Sequence, residues 1–161
     1  MALPLLLCAA SCDDTVPLDG YHSVAAGGWG REDTVVFRID TIAREGVYGE
    51  TVGIRISDDY PFSNLTVIVE QSLLAGGTVR VDTLDCTFAD EHGRLSGTGI
   101  SYHLYEFPLC TLQLRQSDSL RVTIRHDMRQ ERLYGIADVG FRVSLSRRQS
   151  LPETLDDMLN R

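Results

Sequence analysis

Cys12 is the residue whose neighbours define a reaction. Leu3, Leu5, Leu6 and Leu7 form a short apolar run, and Cys8, Ala9, Ala10 and Ser11 shrink the side chains ahead of Cys12. An apolar run too short to span a bilayer, ending in small residues, reads as a secretory signal. A small-residue triplet ending at a cysteine is the bacterial lipobox. The cleaving peptidase needs small side chains before the scissile bond, and the cysteine sulfur takes a diacylglycerol. Residues 1–11 are therefore expected to be a lipoprotein signal peptide, leaving a mature chain of 150 residues from Cys12 to Arg161. Two features depart from the pattern: no Lys or Arg precedes the run, and Ala9 stands where leucine is commoner. The competing reading is an apolar N-terminus on a cytoplasmic protein. One acyl chain holds a protein at a membrane only marginally, at roughly 0.8 kcal/mol per buried CH₂. The two or three chains of a lipoprotein cysteine would hold it permanently.

The other reactive residue types form weaker patterns. With Cys8 removed and Cys12 acylated, Cys86 and Cys110 remain as an even pair in an oxidising compartment. A bridge would close a loop of about 25 residues, worth on the order of 3 kcal/mol; two separate thiols are the alternative. His22, His92, His103 and His126 show no metal-ligand spacing with the cysteines. Asp58-Asp59 could begin a calcium loop, but such loops supply several more oxygens at defined intervals. Asp85, His92 and Ser96 could be drawn as acid, base and nucleophile, yet nothing around them resembles a nucleophile elbow. Asp90-Glu91-His92-Gly93 reads better as a solvated turn. Gly97-Thr98-Gly99 follows no parallel strand, so a nucleotide reading fails on context. No metal and no cofactor is expected.

Composition narrows the partners. The net charge of −8 leaves no basic surplus for phosphates, which argues against nucleic acid and against docking on anionic lipid by charge. All fifteen basic residues are arginine. A hydrophobic fraction of 43% over this length supports one domain with a real core.

The elements that must carry these residues are strands. Apolar and polar residues alternate over Val35–Asp40, Val52–Ser57, Leu65–Glu70, Val79–Asp82, Leu120–Arg125 and Val139–Ser146. Period two with one polar face marks antiparallel strands covered on one side. Tyr102–Phe107 and Leu112–Arg115 are weaker, and Pro108 splits them. The expectation is an all-β fold: an antiparallel β-sandwich, two stacked sheets of seven or eight strands. Residues 12–26 read as a lipid-anchored tether and 27–146 as the sandwich. Residues 147–161 read as a short C-terminal helix or tail. There, Ser150-Leu151-Pro152-Glu153 makes a capping box, and Leu151, Leu155, Met158 and Leu159 share one helical face.

Several segments, in order, resemble the gliding motility lipoprotein GldH family of Bacteroidetes. They are Gly27-Gly28-Trp29 with Asp33-Thr34-Val35, Ser57 to Leu65, Asp82-Thr83-Leu84 with Ala89-Asp90 and Gly93, and Met128-Arg129-Gln130 through Gly135-Ile136 to Asp138-Val139-Gly140. The similarity runs from the lipobox to about Ser146. The resemblance implies a lipid-anchored protein of the outer membrane, needed for surface gliding and linked to type IX secretion, without catalytic activity or cofactor. Its expected partners are the membrane, through lipidated Cys12, and other envelope motility or secretion proteins.

The loops Ser57–Asn64 and Asp127–Leu133 hold individual residues where a generic turn would do, so Tyr60, Arg129 and Arg132 are the expected partner contacts. The alternative is a surface carbohydrate-binding sandwich that stacks sugars on Trp29 or Tyr60, although a tryptophan placed like Trp29, between glycines before the first clear strand, more often plugs the end of a sandwich. A hydrolase would need a cleft with converging acid, base and nucleophile.

Overall fold

The computed structural model describes residues 15–146 apart from 75, 76, 78 and 91. Alternation does become strand, in antiparallel sheets only. One four-stranded sheet has the order β1 (Leu18–Ser23), β10 (Ile136–Leu145), β4 (Gly46–Ser57), β7 (Tyr102–Leu114). The other has the order β3 (Val35–Ile39), β8 (Leu120–His126), β5 (Asn64–Leu73), β6 (Val79–Thr87). A two-stranded ribbon joins β2 (Trp29–Gly30) to β9 (Arg132–Leu133). The chain is all-β and sandwich-like, and no helix occurs among the described residues. The helix expected after Ser150 and the lipobox at Cys12 lie outside the described residues.

The core follows the period. Val52, Ile54 and Ile56 of β4 face inward and are wholly buried, as are Leu65, Val67 and Val69 of β5. Val122 and Ile124 from β8 and Val139, Phe141 and Val143 from β10 join the same cluster.

Two elements differ from the pattern read in the sequence. Pro108 does not split its region, because β7 runs unbroken through it. A register shift between Gly49 and Thr51 of β4 falls beside Pro108, and β7 is an edge strand. A residue without an N–H is tolerated at such a place. Residues 18–23, expected as tether, form β1 on the far edge. The strand is mostly exposed, so alternation of hydrophobicity could not announce it.

Glycines make β1 fit. Tyr21 stands opposite Gly140, and Gly140 opposite Gly53. A Cβ on Gly140 would come within 2.4 Å of the Tyr21 ring, and one on Gly53 within 2.8 Å of the ring and 2.4 Å of its hydroxyl. The ring therefore lies over two bare backbones, with the Arg55 guanidinium 5.7 Å from its centroid. Placing Ala at position 140 should push the ring out and cost about 1–3 kcal/mol in urea unfolding. The same change in a Tyr21→Ala background should cost clearly less. Equal costs in the two backgrounds would show that the ring and the glycines are not coupled.

Candidate functional site

The sandwich has two ends with different contents. At one, Leu145 N–H donates to Thr15 O at 2.7 Å, beside the loops that precede Gly46 and follow Leu114. At the other, ten β10 residues or about 30 Å away, lie the loops 24–34, 57–63, 88–101 and 127–135. The segments singled out in the sequence converge on this second end.

Two buried aromatic residues hold it together. Trp29 is 1% exposed. Its Nε1–H donates to Asp33 O at 2.9 Å, and its ring meets His126 edge-on at 5.3 Å. Met128 N–H donates to His126 Nδ1 at 3.4 Å, which leaves Nε2–H to donate to Trp29 O at 3.2 Å. That tautomer is neutral, in keeping with burial, which lowers the His126 pKa. Tyr60 is 8% exposed; its hydroxyl donates to Asn64 O at 2.9 Å, and its ring packs on Phe62 and Phe88. Burial raises its pKa. Neither ring offers a face to solvent. Sugar stacking by Trp29 or Tyr60 is thereby withdrawn, and so is Tyr60 as a direct partner contact.

Two glycines at positive φ let the loops touch. A Cβ on Gly28 would meet Leu133 O at 2.8 Å, and one on Gly135 would meet Tyr60 N at 2.6 Å. Ser57 N–H donates to Gly135 O at 2.8 Å. Arg132 Nη1 donates to Gly28 O at 3.1 Å, so this expected contact residue also pins the Gly27-Gly28 turn. Arg129 is exposed.

The residues of the catalytic and calcium readings make local contacts. Asp85 Oδ1 accepts from Thr66 Oγ1, and Ser96 Oγ donates to Phe88 O; neither bond links the trio. Asp90 accepts from the N–H groups of Arg94 and His92, which lower its pKa, and it closes the turn expected there. Asp58 Oδ1 pairs with His103 Nε2 at 3.0 Å. Among the described residues no group of three His, Cys, Asp or Glu side chains could hold a metal ion.

The bridge between Cys86 and Cys110 is not formed; both thiols are free. The register explains why. Cys86 pairs with Leu65, near the loop end. Cys110 lies by Gln71, whose partner Arg80 is about 20 Å along β6 from Cys86. A disulfide needs Cα atoms within roughly 7 Å.

Cys110 belongs instead to a buried polar group that alternation did not reveal. Glu50 is 2% exposed and Gln71 3% exposed. Glu50 Oε2 accepts from Gln71 Nε2 at 2.9 Å and from Cys110 Sγ at 2.8 Å. No described residue donates to Glu50 Oε1 or Gln71 Oε1. Among the described residues no ion pair reaches Glu50, and Arg80 on the rim is held by Asp82 at 2.7 Å. Burial therefore raises the Glu50 pKa above the usual carboxylate value, against weaker lowering by the Cys110 and Gln71 bonds. The sequence signal was a Glu at an inward position of β4, in phase with Tyr48 and Val52.

Fold and surface together define an all-β domain whose buried polar groups serve packing and turns and whose loops gather at one end. The chain belongs to the GldH lipoprotein family, whose model matches residues 17–143. It is 32% identical to the gliding motility lipoprotein GldH of Flavobacterium johnsoniae, over 86% of this chain and 93% of that one. It is 31% identical to the gliding motility lipoprotein GldH homolog of Christiangramia forsetii, over 85% and 88%. A solved structure of Eiger TNF from S. frugiperda overlays at a TM-score of 0.34 and 11% identity, covering 83% of this chain and 99% of that one, too loosely to carry an argument.

Two outcomes follow from the buried groups. Because the folded-state pKa of Glu50 is raised, its stabilising contribution is complete below the ordinary carboxylate range and is lost as pH rises through the folded value. Glu50→Gln removes that loss. Its melting temperature should match or trail wild type near about pH 4 and exceed it by about pH 8. A gap that does not change with pH would show an unperturbed carboxyl. Burial pushes the Cys86 and Cys110 thiols up to about 12. Both should therefore alkylate at least about 100-fold more slowly than free cysteine in the native protein, and fully in denaturant without reductant. Mass spectrometry reads the label at each site; a linked Cys86–Cys110 peptide would refute the free-thiol assignment.

Proposed function

We propose that this chain is a lipid-anchored cell-envelope protein of the gliding machinery. It is held at the outer membrane through Cys12 and acts by contacts with envelope proteins of the motility and type IX secretion apparatus, without catalysis. The observation that carries the reading is the match over residues 17–143 to a family whose named relatives are gliding motility lipoproteins.

The geometry supports it. Cys12 stands three residues before Thr15, at most about 11 Å of chain. Thr15 sits at the end of the sandwich opposite the converging loops. A protein tethered this way presents those loops about 30 Å from its point of attachment.

The test is metabolic labelling with a clickable palmitate analogue, followed by complementation of a deletion strain. Wild type should take the label and restore colony spreading or cargo secretion. Cys12→Ala should take no label, leave the membrane fraction and restore neither. Unlabelled wild-type protein that keeps residues 1–11, or full function from Cys12→Ala, would overturn the anchored reading.

A further inference from the structure

We propose that the groove between Tyr102 and Tyr134, at the loop end of the sandwich, docks a basic segment of a partner protein and takes one of its apolar side chains. This rests on the reading that the protein works through protein contacts. It names the surface and the chemistry of what binds there.

The groove holds about 280 Å³, and its lining includes Val24, Ala25, Gly28, Tyr102, Gly135 and Ala137. That is at the lower edge of the roughly 300–1,000 Å³ of sites that enclose a small molecule, and it has room for one large side chain. The walls are built before anything binds. Val24 N–H donates to Ala137 O at 2.9 Å, and Ser57 N–H to Gly135 O at 2.8 Å. Gly28 and Gly135 sit where any Cβ would strike backbone. A preformed site loses little entropy on binding.

Two exposed tyrosines border it. Tyr102, 54% exposed, lines the groove, and Tyr134, 61% exposed, lies with its ring beside Gly28 of the lining. Ile100, two residues before Tyr102, is 92% exposed. Single exposed apolar residues are ordinary, but grouping around one groove marks an interaction site. Tyr102 is paired with Ser57, which is bonded to Gly135. The two tyrosines therefore stand about two strand spacings apart, roughly 10 Å. Tyrosine gives large contact area at small entropic cost and is enriched where partners bind.

Charge selects the partner. The loops 24–34, 57–63, 88–101 and 127–135 carry seven described carboxylates against four arginines. Arg94 and Asp90 pair with each other, and Arg132 is bonded to the Gly27 and Gly28 carbonyls. Asp33 accepts from Gly30 N–H and Asp58 pairs with His103, which leaves Glu32, Asp59, Asp127 and Glu131 against Arg31 and Arg129. Asp58, paired with His103, and Asp59 follow Ser57 of the groove wall in the chain. A basic segment would be steered to such a rim. A second copy of this chain would bring the same surplus of carboxylates and be repelled.

The test is site-specific photo-crosslinking in living cells, with the full chain carrying a benzophenone amino acid at Tyr102 or Tyr134. Val47 and Leu74, exposed near the opposite end, serve as controls. The groove positions should capture one polypeptide, and its crosslinked peptide should hold more Lys and Arg than Asp and Glu. From a probe at Ile100, Tyr102→Ala with Tyr134→Ala should lower capture about tenfold or more, with the melting temperature unchanged. Capture only at the control positions, of an acidic peptide, of a glycan or of a second copy, or no capture at all, would overturn the proposal. Its failure is separable from failure of the anchored reading. A groove that captures nothing in cells where Cys12 is lipidated and complementation succeeds refutes the groove alone.

Discussion

Val52, Ile54 and Ile56 of β4 share one core with Leu65, Val67 and Val69 of β5, and all six are shut from water. Each contributes on the order of 1.5–3 kcal/mol when buried. The rest of the molecule depends on keeping those two inner faces apposed. A slip of one residue in either strand would turn its apolar set to solvent, so the register is strongly specified. With the register set, both ends of the sandwich are set, and the loops fall where the strands release them.

Glu50 and Gln71 are the places where that core departs from apolar packing. They sit at inward positions, bonded to each other and to Cys110, with one oxygen apiece left over. An ionised carboxylate there would face the desolvation cost that buried charges carry without a partner. Burial favours the neutral acid at this position, and the bonds from Cys110 and Gln71 work against it.

The loop end rests on a different constraint, close approach of backbones. Gly28 against Leu133 and Gly135 against Tyr60 bring three loops into contact that no alternation of side chains would join. Trp29 and Tyr60 then fill the space beneath them. The two aromatic residues weighed for sugar stacking are thus the ones that close the domain. Tyr102 and Tyr134, unremarkable in sequence, remain on the surface beside the groove.

The strand class, the sandwich and the family were all legible in the amino-acid sequence. Period-two alternation has few structural solutions, and glycine–aromatic motifs kept in order are specific. Alternation also located most of the core. It could not show β1, whose residues are mostly exposed, nor that β7 continues through Pro108, because edge pairing relaxes the demand for an N–H. It could not separate a buried tyrosine from an exposed one. Burial in loops is decided by which glycines allow contact, and that depends on residues 75 positions apart, as for Tyr60 and Gly135. Tertiary structure alone set Cys86 and Cys110 too far apart to bond, since their separation is measured along β6 and across sheets and not along the chain.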